Sequence, residues 1–75
     1  MEYIVKSIAT AKDNNPNFAG ETRTFYHGKG GRVYDKPEWT PGWSRKHFAV
    51  SFIRNTLTWD SADMYWTYRY EIIAK

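Results

Sequence analysis

Aromatic rings and positive charges alternate through the middle of this 75-residue chain. Rings can stack on nucleic-acid bases while lysine and arginine hold phosphates, and tryptophan, tyrosine and arginine also dominate the centres of protein–protein interfaces. The pattern therefore predicts a surface that binds a protein partner, with a nucleotide or nucleic acid as the alternative. A simpler alternative is that the tryptophans only cover one open face of a small sheet. The predicted partner-binding residues are Tyr26, Lys29, Arg32, Tyr34, Lys36, Trp39, Trp43, Arg45 and Lys46.

The distribution of charge supports an anionic partner. Residues 22–54 contain seven basic and two acidic residues, whereas the segments before and after them are each slightly acidic, and the net charge of the whole chain is +3. A basic middle suits nucleic acid, a nucleotide or an acidic protein face. The sequence leaves open whether the basic residues meet protein carboxylates or phosphates, or only water.

Residues that could support catalysis or bind a metal form no known pattern. The glycines of residues 28–31 belong to neither a phosphate loop (GxxxxGKS/T) nor a dinucleotide fingerprint (GxGxxG), so a hairpin turn is predicted there. No metal-ligand spacing connects His27 with His47, and no serine lies in a nucleophile elbow. Asp60 and Asp63 are typical of a solvated turn. We therefore predict a protein that is not an enzyme and uses no cofactor or metal.

The composition limits the size and the location of the protein. Fourteen residues are Phe, Trp or Tyr and only nine are Val, Ile or Leu, so the core must be built largely from rings. The length predicts a single domain over residues 1–75. The absence of cysteine excludes a disulfide framework and favours a cytoplasmic location. The longest apolar run is three residues, so no contact with a membrane is predicted.

Three strands are predicted in the first half of the chain. Residues 2–11 favour a central strand because apolar side chains occur at both odd and even positions. Residues 12–20 form a loop that Phe18 anchors at the edge of the core. Residues 22–27 and 32–35 then form a hairpin around the glycine-rich turn.

The second half adds a rigid loop, a helix and a final strand. The prolines of residues 36–43 exclude regular structure there. In residues 45–57, a helix with Ser44 as its N-cap would place Phe48, Ala49, Phe52, Ile53 and Leu57 on one stripe, and a strand is the alternative. Residues 59–63 are predicted to turn, and residues 64–72 alternate as a strand with one buried face.

The predicted fold class is α+β: a small antiparallel sheet of three to four strands with one helix packed on a face, in the order β-β-β-α-β. A small all-β barrel is the alternative if residues 45–53 are extended.

Three segments resemble the small single-domain accessory proteins that tailed bacteriophages use for host takeover or against host defences. They are the opening MEYIVKSI, the WSRKHFAVSFI segment and the closing YRYEII, about a third of the chain. The resemblance implies a stoichiometric inhibitor without catalytic residues, acting in the host cytoplasm.

These observations predict a non-enzymatic binding protein that occludes or sequesters a host or defence protein. Trp39 and Trp43 would fill apolar pockets of that partner while Arg32, Arg45 and Lys46 pair with its acids. The first alternative is a nucleotide-binding or single-stranded nucleic-acid-binding protein that uses the same residues. A structural subunit that forms a homo-oligomer through an exposed edge strand is the second.

Overall fold

A computed structural model of the chain describes residues 1–57 and 64–75. It confirms the predicted α+β class, with one antiparallel sheet in the strand order β3-β2-β1-β4 and one α-helix. The elements are β1 (Tyr3–Ala11), β2 (Thr22–His27), β3 (Val33–Tyr34), a 3-10 turn (Pro37–Trp39), α1 (Lys46–Thr56) and β4 (Trp66–Ala74). The predicted turn at residues 59–63 lies outside the described residues.

Strand β1 is central, as its mixed apolar pattern predicted. Val5 is paired with His27 of β2 on one side and with Ile72 of β4 on the other. Ile4 and Val5 are both completely buried, and successive side chains of a strand point to opposite faces. Both faces of the sheet are therefore covered at this end. We call the face of Val5 the helix face and the face of Ile4 the second face.

The helix face carries the core. Val5 forms a buried cluster with Ala49 in the first turn of the helix and with Leu57 at its C-terminal end, and Phe52 packs against that cluster. The helix prediction is thereby confirmed, and the barrel alternative is wrong. Ser44 is not the N-cap, because residue 45 still has extended dihedral angles and no side chain caps the helix. One residue of the predicted apolar stripe is not buried in the core, since Phe48 is 47% exposed.

The alternation of the last strand is confirmed, although its start is later than predicted. Trp66, Tyr68, Tyr70 and Ile72 are half-buried, and the residues that alternate with them, Thr67, Arg69 and Glu71, are exposed. Met64 was assigned to the buried face, but it precedes β4 and is 67% exposed. The hydroxyl of Tyr70 donates a hydrogen bond to the carbonyl of Leu57 (3.2 Å), which joins the end of the helix to β4.

The proline-containing loop passes from the second face to the helix face. The amino group of Lys75, which follows Ile73 on the second face, donates hydrogen bonds to the carbonyls of Glu38 and Thr40. The loop is more regular than predicted, because Pro37–Trp39 form a short 3-10 turn. After it, the backbone of residue 43 pairs with that of residue 3 beside β1.

Two glycines permit this crossing. A Cβ atom on Gly28 would lie 2.0 Å from the carbonyl oxygen of Pro41, and one on Gly42 would lie 2.5 Å from the Cβ of Glu2. Both distances are far inside van der Waals contact, so only glycine fits at either position. The crossing therefore requires the side-chain-free backbone at these two places.

The loop after β1 is held by a side chain. The carboxamide oxygen of Asn15 accepts hydrogen bonds from the backbone N–H groups of Asn17 (3.1 Å) and Phe18 (3.0 Å), and its amide group donates to the carbonyl of Tyr65 (3.3 Å). Phe18 packs on Trp66 with the ring centroids 6.1 Å apart. It anchors the loop from the surface, where 38% of the residue is exposed, and does not enter the core.

Candidate partner-binding surface

The structure separates the predicted binding residues into two groups. The first, which we call the sheet cluster, lies on and beside the second face and consists of Tyr26, Tyr34, Lys36 and Trp39. The second, the helix-start cluster, lies around the beginning of α1 and consists of Lys29, Trp43, Arg45 and Lys46. Arg32 is exposed in the hairpin turn that leads from β2 to β3.

Two tyrosines form the centre of the sheet cluster. Tyr26 and Tyr34 are direct cross-strand partners, and the next residue across the sheet from Tyr26 is Lys6. The neighbouring pair of Val5 and His27 belongs to the helix face, so alternation places the two tyrosines on the second face. Side chains of directly opposed residues in an antiparallel pair lie about 5 Å apart. The two tyrosines are therefore neighbours on the second face, and both are half-buried.

A tryptophan and a lysine extend the sheet cluster. Trp39 ends the 3-10 turn and is 61% exposed. The amino group of Lys36 lies 4.7 Å from the centre of its ring, which is the geometry of a cation–π interaction. The lysine thus holds the indole in place at the surface. The pair presents an apolar ring and a positive charge together.

Trp43 belongs to the core instead. Its ring centre lies 5.2 Å from that of Phe52, and the residue packs against the buried cluster of the helix face. Its backbone N–H and carbonyl both form hydrogen bonds of 2.8 Å with Tyr3. The structure therefore does not bring Trp43 together with Trp39. Position in the same loop gave the two tryptophans the same predicted role, but packing assigns them different environments.

Two residues of the helix-start cluster, Lys29 and Trp43, line a concave region of about 370 Å³. Ser44 and Phe48 line it as well, and Glu2 adds one carboxylate. The backbone N–H of Lys29 donates to the carbonyl of residue 41 (2.8 Å), which fixes the hairpin beside the helix start.

The first turn of the helix is unusually positive. Arg45 and Lys46 are exposed, and the turn contains no acidic residue. The N-terminus of a helix carries a partial positive charge of its own and is stabilised by negatively charged groups. Basic residues at this end of the helix are therefore electrostatically unfavourable. An acidic partner would relieve this unfavourable arrangement.

Phe48 is the aromatic residue of this region that sequence reasoning missed. Its ring lies 4.2 Å from that of His47, and nearly half of the residue is exposed. The helical stripe predicted it to be buried because it directly precedes Ala49. The only signal in the sequence was its place at the edge of that stripe, next to a polar histidine and two basic residues.

The described residues contain no group of three or more His, Asp or Glu side chains that could hold a metal ion. No helix among residues 1–57 and 64–75 is long and apolar enough to cross a membrane.

Comparisons with known proteins supply no relative from which a function could be transferred. No family model, no curated protein and no solved structure matches this chain.

Proposed function

We propose that the protein is a non-enzymatic binding protein that occludes or sequesters a macromolecular partner, such as a host or defence protein, through the sheet cluster. The observation that carries this proposal is the exposure of Trp39. An indole that is 61% exposed and held by the ammonium group of Lys36 offers a large apolar contact with little conformational entropy left to lose. The half-buried pair of Tyr26 and Tyr34 on the second face would add to that contact.

Electrostatics indicates the chemistry of the partner. Lys36, Arg45 and Lys46 are exposed, and the basic residues of the middle segment outnumber the acidic ones. Lys36 belongs to the sheet cluster, whereas Arg45 and Lys46 belong to the helix-start cluster. An acidic protein face would be attracted to either region and would bind faster at low salt. The aromatic rings would then supply the affinity, since exposed ion pairs at an interface rim contribute little.

Affinity purification with matched variants tests the proposal. The bait proteins are the parent, Trp39→Ala and Met64→Ala. The control residue Met64 is also a large exposed apolar residue, at 67%, and it lies outside both clusters. We expect the parent and Met64→Ala to retain the same partner after nuclease treatment, and Trp39→Ala to lose it. Equal retention by all three baits would contradict the proposal.

The alternative, a single-stranded nucleic-acid-binding protein, is favoured by one observation. Tyr26 and Tyr34 lie side by side on a sheet face with Lys6 adjacent to them, and base stacking on such rings contributes about 1–3 kcal/mol per base. Binding of this kind would weaken steeply between about 50 and 200 mM salt. Nuclease treatment would also release the bound material, which distinguishes the two functions in the same purification.

A further inference from the structure

One lysine connects the proline-containing loop of the sheet cluster to the sheet. Lys75 follows β4, and its backbone N–H and carbonyl form hydrogen bonds of 2.7 and 3.2 Å with Glu2, which fix the residue at the end of the sheet. Its ammonium group donates hydrogen bonds to the carbonyls of Glu38 (3.5 Å) and Thr40. Residues 36–40, which we call the tryptophan turn, are thus attached to the sheet by a positive charge.

No other hydrogen bond attaches the tryptophan turn to the rest of the described chain. The remaining ones lie within the turn: the N–H groups of Trp39 (3.3 Å) and Thr40 (3.1 Å) donate to carbonyls three residues earlier. The hydroxyl of Thr40 also donates to the carbonyl of Lys36 (2.9 Å). Hydrogen bonds in 3-10 geometry are poorer than those of an α-helix. Apart from side-chain packing, the turn is therefore held on the sheet by Lys75.

Burial makes the bond to Thr40 unfavourable to lose. Thr40 is completely buried, and its carbonyl accepts no hydrogen bond from any other described residue. A buried carbonyl without a donor is unfavourable, and a charged donor forms a stronger bond than a neutral one. A side chain at position 75 that cannot donate would therefore favour movement of the turn toward water.

The same contacts reach the indole of Trp39. The carbonyl of Lys36 accepts hydrogen bonds from the hydroxyl of Thr40 and from the N–H of Trp39, and the amino group of Lys36 lies over the Trp39 ring. Movement of Thr40 would therefore disturb both the backbone and the ring contact of Trp39. We propose that Lys75 is a positioning residue whose ammonium group orders the tryptophan turn and so holds Trp39 in the conformation that binds the partner.

The consequence for binding rests on the proposed function. A turn that is already ordered loses less conformational entropy when a partner binds. Lys75 would therefore raise the affinity without itself contacting the partner, and loss of its positive charge would weaken binding.

Amide hydrogen exchange tests the positioning role without a partner. Lys75→Met keeps most of the length of the side chain but cannot donate, and Lys75→Arg keeps the charge and the donors. Arg69→Met is the matched control, since it removes one positive charge from an exposed residue of β4 whose ion pair is with Glu71 and not with the turn. In Lys75→Met we expect exchange of the Thr40 amide to be at least about tenfold faster and the heteronuclear NOE of the Trp39 indole to fall, with unchanged exchange in the middle of β1. Lys75→Arg and Arg69→Met should resemble the parent.

Three results would overturn the positioning role. The first is exchange of the Thr40 amide in Lys75→Met within about twofold of the parent. The second is equal acceleration in Arg69→Met or Lys75→Arg, and the third is an equal rise in exchange throughout the sheet.

Affinity purification with the same variants tests the effect on binding. Lys75→Met should lose the partner that the parent retains, and Arg69→Met should keep it. Full retention by Lys75→Met would overturn the inference. A parent that captures no partner would instead contradict the proposed function, and the exchange experiment would still decide the role of Lys75.

Discussion

The different environments of the two loop tryptophans predict very different effects on stability. Trp39→Ala removes a mostly exposed ring and its cation–π contact, which contributes about 0.5–1 kcal/mol at an exposed site. Trp43→Ala removes a half-buried ring from the core cluster and from its contact with Phe52. Removal of a fully buried Trp or Phe costs about 3–5 kcal/mol. For the half-buried Trp43 we therefore expect a loss of about 2 kcal/mol in the free energy of unfolding.

Urea denaturation followed by far-UV circular dichroism measures this difference. With a slope of about 1 kcal/mol per M for a chain of this size, the transition midpoint should fall by about 2 M for Trp43→Ala and by less than 1 M for Trp39→Ala. If Trp43→Ala is unfolded without urea, Trp43→Phe provides a milder version of the same test. Losses that agree within about 0.5 kcal/mol, or a larger loss for Trp39→Ala, would refute the assignment of one ring to the core and the other to the surface.

Three further predictions concern the loops and the buried histidine. Gly28→Ala should destabilise the protein by at least about 2 kcal/mol, because the new methyl group would meet a backbone carbonyl. Gly30→Ala has open space around the new methyl group but a positive φ, so the free energy of unfolding should fall by only about 1 kcal/mol. Equal losses for the two variants in thermal denaturation would contradict this difference. Asn15→Ala should lose about 1–2 kcal/mol and increase amide exchange at Phe18, since the loop loses its side-chain acceptor; unchanged exchange would count against that role. Burial lowers the pKa of His27, so the unfolded chain binds a proton more readily than the folded chain. The free energy of unfolding should therefore fall as the pH drops below about 6.5, by at most about 1.4 kcal/mol per pH unit. The same pH dependence in His27→Phe would show that other groups cause it.

Most of the fold could be predicted because its elements have strong local patterns. The apolar residues of β4 alternate with polar ones because one face of that strand is buried. In β1 apolar residues occur at both odd and even positions because both faces are buried. Each pattern is visible in the sequence without knowledge of the partner strands. The helix was predicted by the spacing of Ala49, Phe52 and Leu57. Its N-cap was not, because the helix begins one residue later than predicted, after Arg45, which has extended dihedral angles.

The sequence predicted which types of residue form the candidate site, but not which of those residues lie together at the surface. Local sequence does not determine which ring of a loop turns inward, since that depends on the distant residues it meets. Trp43 packs on Phe52 of the helix, and Phe48 is exposed because the helix turns Ala49 toward β1 instead. The same limit applies to His27, which was predicted to be an ordinary strand residue. Its imidazole packs against Phe52 of the helix, with the ring centres 5.5 Å apart, and this distant contact is not visible in the residues that neighbour His27 in the sequence.

Site-specific photo-crosslinking tests most directly whether the sheet cluster is the binding surface. A benzoylphenylalanine in place of Trp39 lies within the cluster, and the same group in place of Met64 is comparably exposed outside it. After irradiation in living cells, we expect one discrete protein adduct from position 39, resistant to nuclease, and none from position 64. An adduct from position 64 alone, or a nuclease-sensitive adduct from position 39, would contradict it.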